Sequence, residues 1–266
     1  MSLSLNEFRQ HVDHYEPLPE EWFELHGQRS HYLLKNERRM WEMTQVLLKH
    51  LQANDHILDL GGYPGSFFRI LSQSCPLPLK KTIGGLLFSD AFLHKMKQLD
   101  IDLTDVNLDP AHDGLPVGTS DQHYQIQELK PAQVIVASEI LEHMINPMHL
   151  LKVAHNALAE KGLLLLTTPN LAWIRSRIIL LRGDSPNTPL NEGITINTKG
   201  DWRPHVRIYT MAELHELLAE AGFTPVESRY LDMRTRDKEH WPYSWLYSYP
   251  PIRHGLLVLA QKNTYS

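Results

Sequence analysis

The chain has 266 residues, 42% of them hydrophobic, and a net charge of −5, which suits one large domain or one domain with added elements. The acidic balance disfavours a broad basic surface, so we expect no nucleic-acid partner. The single cysteine, Cys75, excludes an intrachain disulfide and favours a reducing compartment, which predicts a cytoplasmic protein. The first twenty residues lack the apolar core of a signal peptide, and no stretch approaches the roughly 20 apolar residues of a transmembrane segment.

Residues 1–50 carry apolar residues at helix-compatible spacing and predict an N-terminal helical extension. The charged stretch 35–42 within it is interpreted as a solvated face. From Asp55 onward, short apolar runs alternate with helical patterns, which is typical of a parallel sheet with crossover helices. Residues 51–266 are therefore predicted to form an α/β domain, with an irregular insertion at about 170–208 on the side of the substrate.

Strands are predicted near 56–60, 82–87, 103–108, 133–137, 162–168, 224–231 and 255–261. Helices are predicted near 65–74, 90–99, 139–142, 147–160 and 210–221. Two helix starts have clear signals, because Pro147 follows Asn146 and because Thr210 and Glu213 form a capping box.

A glycine-rich turn follows the first strand of the α/β domain. Gly61, Gly62 and Gly65 carry no Cβ, so the backbone can approach a ligand closely. The N–H groups at the start of the next helix face the same place and favour an anionic or nucleotide-like group. We interpret the turn as a cofactor site; the alternative is a tight strand-to-helix turn without a ligand.

Several segments in this order resemble the class I S-adenosylmethionine-dependent methyltransferases, in the branch that includes ubiquinone-biosynthesis O-methyltransferases. They are Leu58–Gly65, Ala137–His143, Leu158–Asn170, His205–Leu214 and Ala221–Phe223. The resemblance implies a Rossmann-like, seven-stranded, mostly parallel sheet with helices on both faces and an antiparallel last strand. It also implies S-adenosyl-L-methionine as the cofactor.

The resemblance further implies a set of cofactor-binding residues. The predicted set is Asp59, Gly61, Gly62, Tyr63, Gly65, Asp90, Asp109 and Ser138. Asp90 is the candidate for the ribose, with a helix N-cap as the alternative, and Asp109 is the candidate for the adenine, with a plain turn as the alternative. Two positions depart from the family pattern: Tyr63 stands where glycine is common, and Leu87 stands where an acid usually binds the ribose.

A cluster of polar residues follows the fourth strand of the α/β domain. If residues 139–142 are helical, Glu139, Glu142 and His143 share one face. Three alternatives stay open: His143 is a general base, with Glu139 beside it in the catalytic site; Glu139, Glu142 and His143 hold a divalent cation; or the group is structural. His205 is a second candidate base, its alternative being a structural contact.

The acceptor side is predicted around the insertion. Trp173, Arg175, Arg177 and Arg182 are interpreted as a wall or lid over the acceptor; the alternatives are an amphipathic helix packed on the sheet and a helix at a membrane surface. Aromatic residues between Trp241 and Tyr249 are candidates for stacking on a sugar or ring, or for core packing.

The predicted function is O-methylation of a small molecule, glycan or lipid-linked precursor, with peripheral membrane contact as an option. The alternatives are a non-catalytic relative that serves as a binding scaffold and a nicotinamide-dependent dehydrogenase. The segment Thr167–Asn170 lacks the Asp/Asn-Pro-Pro-Tyr pattern of methyltransferases that act on nucleobase amino groups.

Overall fold

The computed structural model describes residues 3–25, 28–86, 88–110, 129–187, 204–238 and 244–264. The N-terminal segment contains helix α1 (Leu5–Asp13), strands β1 (Trp22–Leu25) and β2 (Gln28–His31), a short helix α2 (Tyr32–Lys35) and helix α3 (Glu37–Leu47). The two strands pair antiparallel, with Trp22 opposite His31. The predicted N-terminal helices are present, and a hairpin that the sequence interpretation did not include lies between them. The apolar run beginning at Trp22 is too short for a stable helix and is rich in aromatic residues, which favours a strand.

The central sheet has seven strands. They are β3 (His56–Leu60), β4 (Lys80–Gly85), β5 (Asp102–Asp105), β6 (Ala132–Ser138), β7 (Leu158–Pro169), β8 (Phe223–Leu231) and β9 (Gly255–Lys262). Their order in the sheet is β5-β4-β3-β6-β7-β9-β8. Only β9 runs antiparallel to its neighbours, β7 and β8. The predicted Rossmann-like sheet with an antiparallel last strand is confirmed.

Helices cover both faces of this sheet. Beyond the N-terminal segment these are α4 (Ser66–Ser74), α5 (Asp90–Gln98), α6 (Pro147–Ala157), α7 (Ile174–Leu181) and α8 (Met211–Glu220). Helices α1, α3, α4 and α5 share an apolar core with one face of the sheet, to which Ile57 contributes. Helices α6 and α8 pack on the other face, to which Leu58 contributes. Successive strand residues thus point to opposite sides, and both sides are buried.

Several element boundaries differ from the sequence prediction. The sixth helix ends at Ala157 rather than near residue 160, because β7 begins at once at Leu158. The predicted caps are confirmed: the Asn146 side chain accepts from the N–H of His149 at 3.3 Å, and Thr210 forms a capping box with Glu213. The division into an extension 1–50 and a domain 51–266 stays a prediction. No helix of the described residues is both long enough and apolar enough to cross a membrane.

Candidate active site

The candidate site lies where β3, β6 and β7 end. These strands are parallel neighbours, with Asp59 opposite Val136 and Ser138 opposite Thr167. Their carboxyl ends therefore meet at one edge of the sheet, where ligands bind in open α/β sheets. The glycine turn follows β3, and Glu139 follows β6, so the two main sequence motifs come together as predicted.

The glycine turn is held in a conformation that glycine adopts easily. Gly61 has φ +75° and Gly65 has φ +86°, both in the left-handed region. The N–H of Gly65 donates to the carbonyl of Gly62 at 2.7 Å, and α4 begins at the next residue. A Cβ on Gly61 would meet the side chain of Ile140, and a Cβ on Gly62 would meet the carboxyl group of Asp59. The glycines thus let the loop after β6 and the Asp59 side chain close against the turn.

Asp59 is the acid of this turn and is only 3% exposed. Burial raises the pKa of its carboxyl group to about 8, and the charge of Arg39 opposes the shift. The carboxyl group is therefore largely protonated at neutral pH, and a cation placed beside it would favour its ionised form.

Arg39 is a residue whose importance the sequence interpretation missed. The stretch 35–42 was assigned to solvent, but Arg39 and Glu37 are each 3% exposed. The Nη1 of Arg39 lies 3.0 Å from Oε2 of Glu139, and its Nη2 donates to the Tyr32 hydroxyl at 2.7 Å. Its Nε is buried without a hydrogen-bond partner in the described part of the chain. Helix α3 thus places the guanidinium group of Arg39 between Asp59, which precedes the glycine turn, and Glu139, in the loop after β6.

The sequence did contain a signal for this burial. Arg39, Met43 and Val46 have the i, i+4, i+7 spacing of one helix face, and Met43 and Val46 are fully buried.

The remaining predicted cofactor residues lie around the same turn. Tyr63 is 55% exposed, and its ring lies 4.9 Å from that of Phe92 on α5. Ser138 is the last residue of β6, and its hydroxyl forms a hydrogen bond of 2.9 Å with the hydroxyl of Thr167 on β7. Asp90 is the first residue of α5 and is exposed. The N-cap of this helix is Ser89, so the alternative role of Asp90 as N-cap is wrong. Leu87 lies outside the described residues.

Asp109 is 1% exposed and binds main chain. Its two carboxylate oxygens accept from the N–H groups of Ile145 and Asn146, at 2.9 and 3.2 Å. It therefore holds the loop between β6 and α6 beside the carboxyl end of the sheet.

The helix predicted at 139–142 is wrong, and with it the argument that its acids share a helix face. Glu139 has φ +53°, and a single 3₁₀ turn covers Leu141–His143. Glu139 instead turns to Arg39, and its Oε1 is buried with no partner among the residues described. Because Glu139 has a left-handed backbone, residues 139–142 cannot form the predicted helix, and helical spacing does not describe which of their side chains meet.

Glu142 is nearly fully buried, at 1% exposed. Burial and the neighbouring Glu139 raise the pKa of its carboxyl group well above the usual range, although a hydrogen bond of 3.0 Å from the Thr168 hydroxyl opposes this. Its main-chain carbonyl accepts from the N–H of Val206 at 2.7 Å. The Glu142 loop is therefore tied both to β7 and to the segment that follows residue 203.

This tie brings together two histidines that are distant in sequence. The rings of His143 and His205 lie 4.9 Å apart, edge to face, and His143 Nε2 lies 3.8 Å from Oε1 of Glu142. Each of the three residues offers one possible ligand atom, and these atoms lie within 4.8 Å of one another. Burial and the neighbouring His143 lower the pKa of His205. Sequence reasoning named both histidines but grouped His143 with Glu139 rather than with His205.

The N-terminal segment is anchored beside the glycine turn by a buried acid. Glu21 is 1% exposed and accepts from the Leu18 N–H at 2.6 Å and from the hydroxyls of Tyr15 and Ser66, each at 2.5 Å. Arg69 of α4 completes this set. Because Ser66 directly follows Gly65, this network fixes the first turn of α4 against the N-terminal segment.

The predicted acceptor side is partly described. Trp173 lies 4.5 Å from the ring of His254, which stacks on Tyr247 at 5.1 Å. These rings connect the start of α7 with the segment that follows β8. Trp241 and its two successors lie outside the described residues, as do residues 188–203 of the insertion. Helix α7 is largely exposed, so the alternative of an amphipathic helix packed on the sheet is not what the structure shows.

Comparisons with known proteins agree with this geometry. A family model described as a methyltransferase domain matches residues 32–228. No curated protein sequence matches the chain. Among solved structures, a 1,6-didemethyltoxoflavin N1-methyltransferase from Burkholderia thailandensis, with bound S-adenosylhomocysteine, is 16% identical at a TM-score of 0.55, over 87% of this chain and 81% of that one.

Two further solved structures have the same fold at low identity. A methyltransferase of Haloferax volcanii in complex with the Trm112 activator is 14% identical at a TM-score of 0.53, over 86% of this chain and 92% of that one. A family 2 O-methyltransferase from Planctomyces limnophilus, in complex with apigenin, is 16% identical at a TM-score of 0.51, over 84% of this chain and 57% of that one. At such identities the likeness establishes the fold alone.

Proposed function

This chain belongs to the methyltransferase-domain family and is an S-adenosylmethionine-dependent enzyme, and we propose that it methylates a hydroxyl group. The observation that carries the proposal is the meeting of Glu142, His143 and His205, in and against the loop whose Ile140 contacts the glycine turn. A hydroxyl acceptor must lose a proton whose pKa lies far above 7, so a base or a cation at this point is useful. Family membership favours this enzyme over the non-catalytic scaffold.

The residues at the turn fit the cofactor. The bare main chain of Gly61 and Gly65 and the carboxyl group of Asp59 would hold the methionyl part, with Arg39 Nε available for its carboxylate. We keep Gly62, Tyr63, Ser138, Asp90 and Asp109 as further proposed contacts. The cofactor supplies an electrophilic methyl group, and its neutral thioether leaving group needs no acid.

The protein's own part is to orient the acceptor and to take up its proton. His205 suits the second task, since its lowered pKa keeps Nδ1 and Nε2 without a positive charge at neutral pH. His143 lies against His205, and its Nε2 lies 3.8 Å from Oε1 of Glu142. Burial raises the pKa of the Glu142 carboxyl group, so this group binds a proton more readily than an exposed carboxylate does. Placing the acceptor oxygen in line with the transferred methyl group would supply much of the rate.

A divalent cation is the second way to ionise the hydroxyl. One carboxylate and two imidazoles form a donor set that suits zinc or a similar metal. Glu142, His143 and His205 would hold it. The buried Oε1 of Glu139, which has no hydrogen-bond partner among the described residues, lies in the same loop. The two routes differ in one measurable way, because only the second depends on a chelatable metal.

The acceptor class is proposed as a small molecule, glycan or lipid-linked precursor, in the branch of the ubiquinone-pathway O-methyltransferases. The buried, free thiol of Cys75 accords with a cytoplasmic location.

Methyl-labelled S-adenosylmethionine, incubated with the full chain and a protein-free metabolite extract, tests the reaction. We expect methoxyl products by mass spectrometry, and His143→Gln and His205→Gln should each lower the rate by about 10²–10⁴ with unchanged cofactor affinity. His215→Gln, on α8, is the matched control. Loss of activity in EDTA with recovery in zinc or magnesium selects the cation route. Products methylated only on nitrogen or carbon, or fully active histidine variants, would overturn the proposal.

A further inference from the structure

Helix α7 exposes apolar residues on the side opposite its buried residue. Ser176 is its one buried residue. Successive helical residues are about 100° apart, so Ile178 and Leu181 lie roughly opposite Ser176 and face outward, and the half-buried Ile174 lies on the same side. Ile178 is 42% exposed and Leu181 is 87% exposed. This outward apolar stripe is not explained by the packing of the core.

Arginines flank the stripe on both sides. By the same geometry Arg177 lies on one side of it, and Arg175 and Arg182 lie on the other. All three are exposed, in a chain whose net charge is −5. An apolar stripe bordered by cations is the pattern of a helix that lies in the headgroup region of an anionic membrane.

A second segment extends the same surface. The 3₁₀ turn Ser244–Ser248 contacts the start of α7, since the Trp173 Nε1 donates to the Tyr247 hydroxyl at 3.4 Å. Trp245 in this turn is 67% exposed, and Tyr249, directly after the turn, is 60% exposed. Tryptophan and tyrosine concentrate at the level of lipid headgroups, where the ring is buried and the polar atom stays hydrated.

We propose that α7 and the segment from Trp245 to Tyr249 dock the enzyme on an anionic phospholipid surface. Helix α7 follows the carboxyl end of β7, and the segment from Trp245 to Tyr249 follows that of β8. Docking would therefore bring the candidate active site to the surface of the membrane. The inference rests on the proposed function in one point: a lipid-linked acceptor would reach the candidate active site from the membrane. We propose an anionic membrane as the partner because the exposed arginines complement its negatively charged headgroups.

Vesicle co-sedimentation of the full chain tests the proposal. Vesicles of phosphatidylcholine with about one third phosphatidylglycerol should bind at least about 5-fold more protein than phosphatidylcholine vesicles at low salt, and binding should fall in high salt. The double variant Ile178→Ser/Leu181→Ser should lose most of the binding, about 10-fold or more. Val226→Ser, at another exposed apolar residue, 54% exposed on β8, should bind as the unchanged protein does.

Cofactor affinity, measured by calorimetry on the same preparations, separates this proposal from the proposed function. Unchanged cofactor binding without sedimentation on anionic vesicles would overturn the docking alone. Equal vesicle binding by the double variant and by the control would also overturn it. So would a dimer in analytical ultracentrifugation that the double variant abolishes without any vesicle binding, because the stripe would then be an interface between two copies.

Discussion

Replacing Arg39 by methionine should cost both stability and cofactor affinity. The guanidinium lies 3.0 Å from Glu139, at 3% side-chain exposure, and it also acts on Asp59 and Glu142. Removing one partner of a buried pair leaves an uncompensated charge and costs about 3–5 kcal/mol. At about 2–4 °C per kcal/mol for a chain of this size, the melting temperature should fall by about 6–20 °C. Loss of a charged hydrogen bond to the cofactor, about 1.5–3 kcal/mol, should weaken binding by about 10- to 150-fold.

The neighbouring Arg38 provides the matched control. It pairs with Asp232 at 3.1 Å with 23% of its side chain exposed, so Arg38→Met should cost only about 0–1 kcal/mol. Thermal unfolding followed by circular dichroism and calorimetry with S-adenosylhomocysteine measure the two effects. If Arg39→Met melts within 2 °C of Arg38→Met and binds the ligand equally well, the assigned position of Arg39 in the cofactor site is wrong.

Four further predictions concern the turn and its anchor. Affinity for the cofactor should rise between pH 6 and 9, because Asp59, with a pKa of about 8, gains the charge that attracts an ammonium group; Asp59→Asn should flatten this profile in calorimetry. The same raised pKa means that the Asp59 contribution to stability is complete below about pH 4, the unfolded value, and declines as the pH rises to 8, so Asp59→Asn should unfold at a higher temperature than the unchanged protein at pH 9. Gly61→Ala should abolish cofactor binding, because its Cβ meets Ile140, and Ile140→Ala should restore part of it; equal affinity in Gly61→Ala would contradict the close approach. Glu21→Gln should lower stability by about 2–4 kcal/mol in urea unfolding, since it weakens charge-assisted bonds to Ser66 and its other donors; a change below 1 kcal/mol would show that the anchor is dispensable.

The sequence by itself determined the sheet and the location of the glycine turn that we propose as the cofactor site. The inner strands β3, β6 and β9 are short apolar runs whose residues alternate between two buried faces, so their pattern is visible without knowledge of their neighbours. The turn at Gly61 and Gly65 and the caps at Asn146 and Thr210 are equally local, because they depend on the φ values and side-chain hydrogen bonds of adjacent residues.

Only the tertiary structure decided which polar groups meet at the site. The helical spacing of Arg39 indicates that it is buried, but only the tertiary structure shows that acids from two other segments surround its charge. His205 joins His143 because the backbone of residue 206 bonds to the loop after β6, and a left-handed Glu139 gives that loop its course. Local energies set the strands and turns, whereas long-range contacts between segments set the electrostatics of the candidate active site.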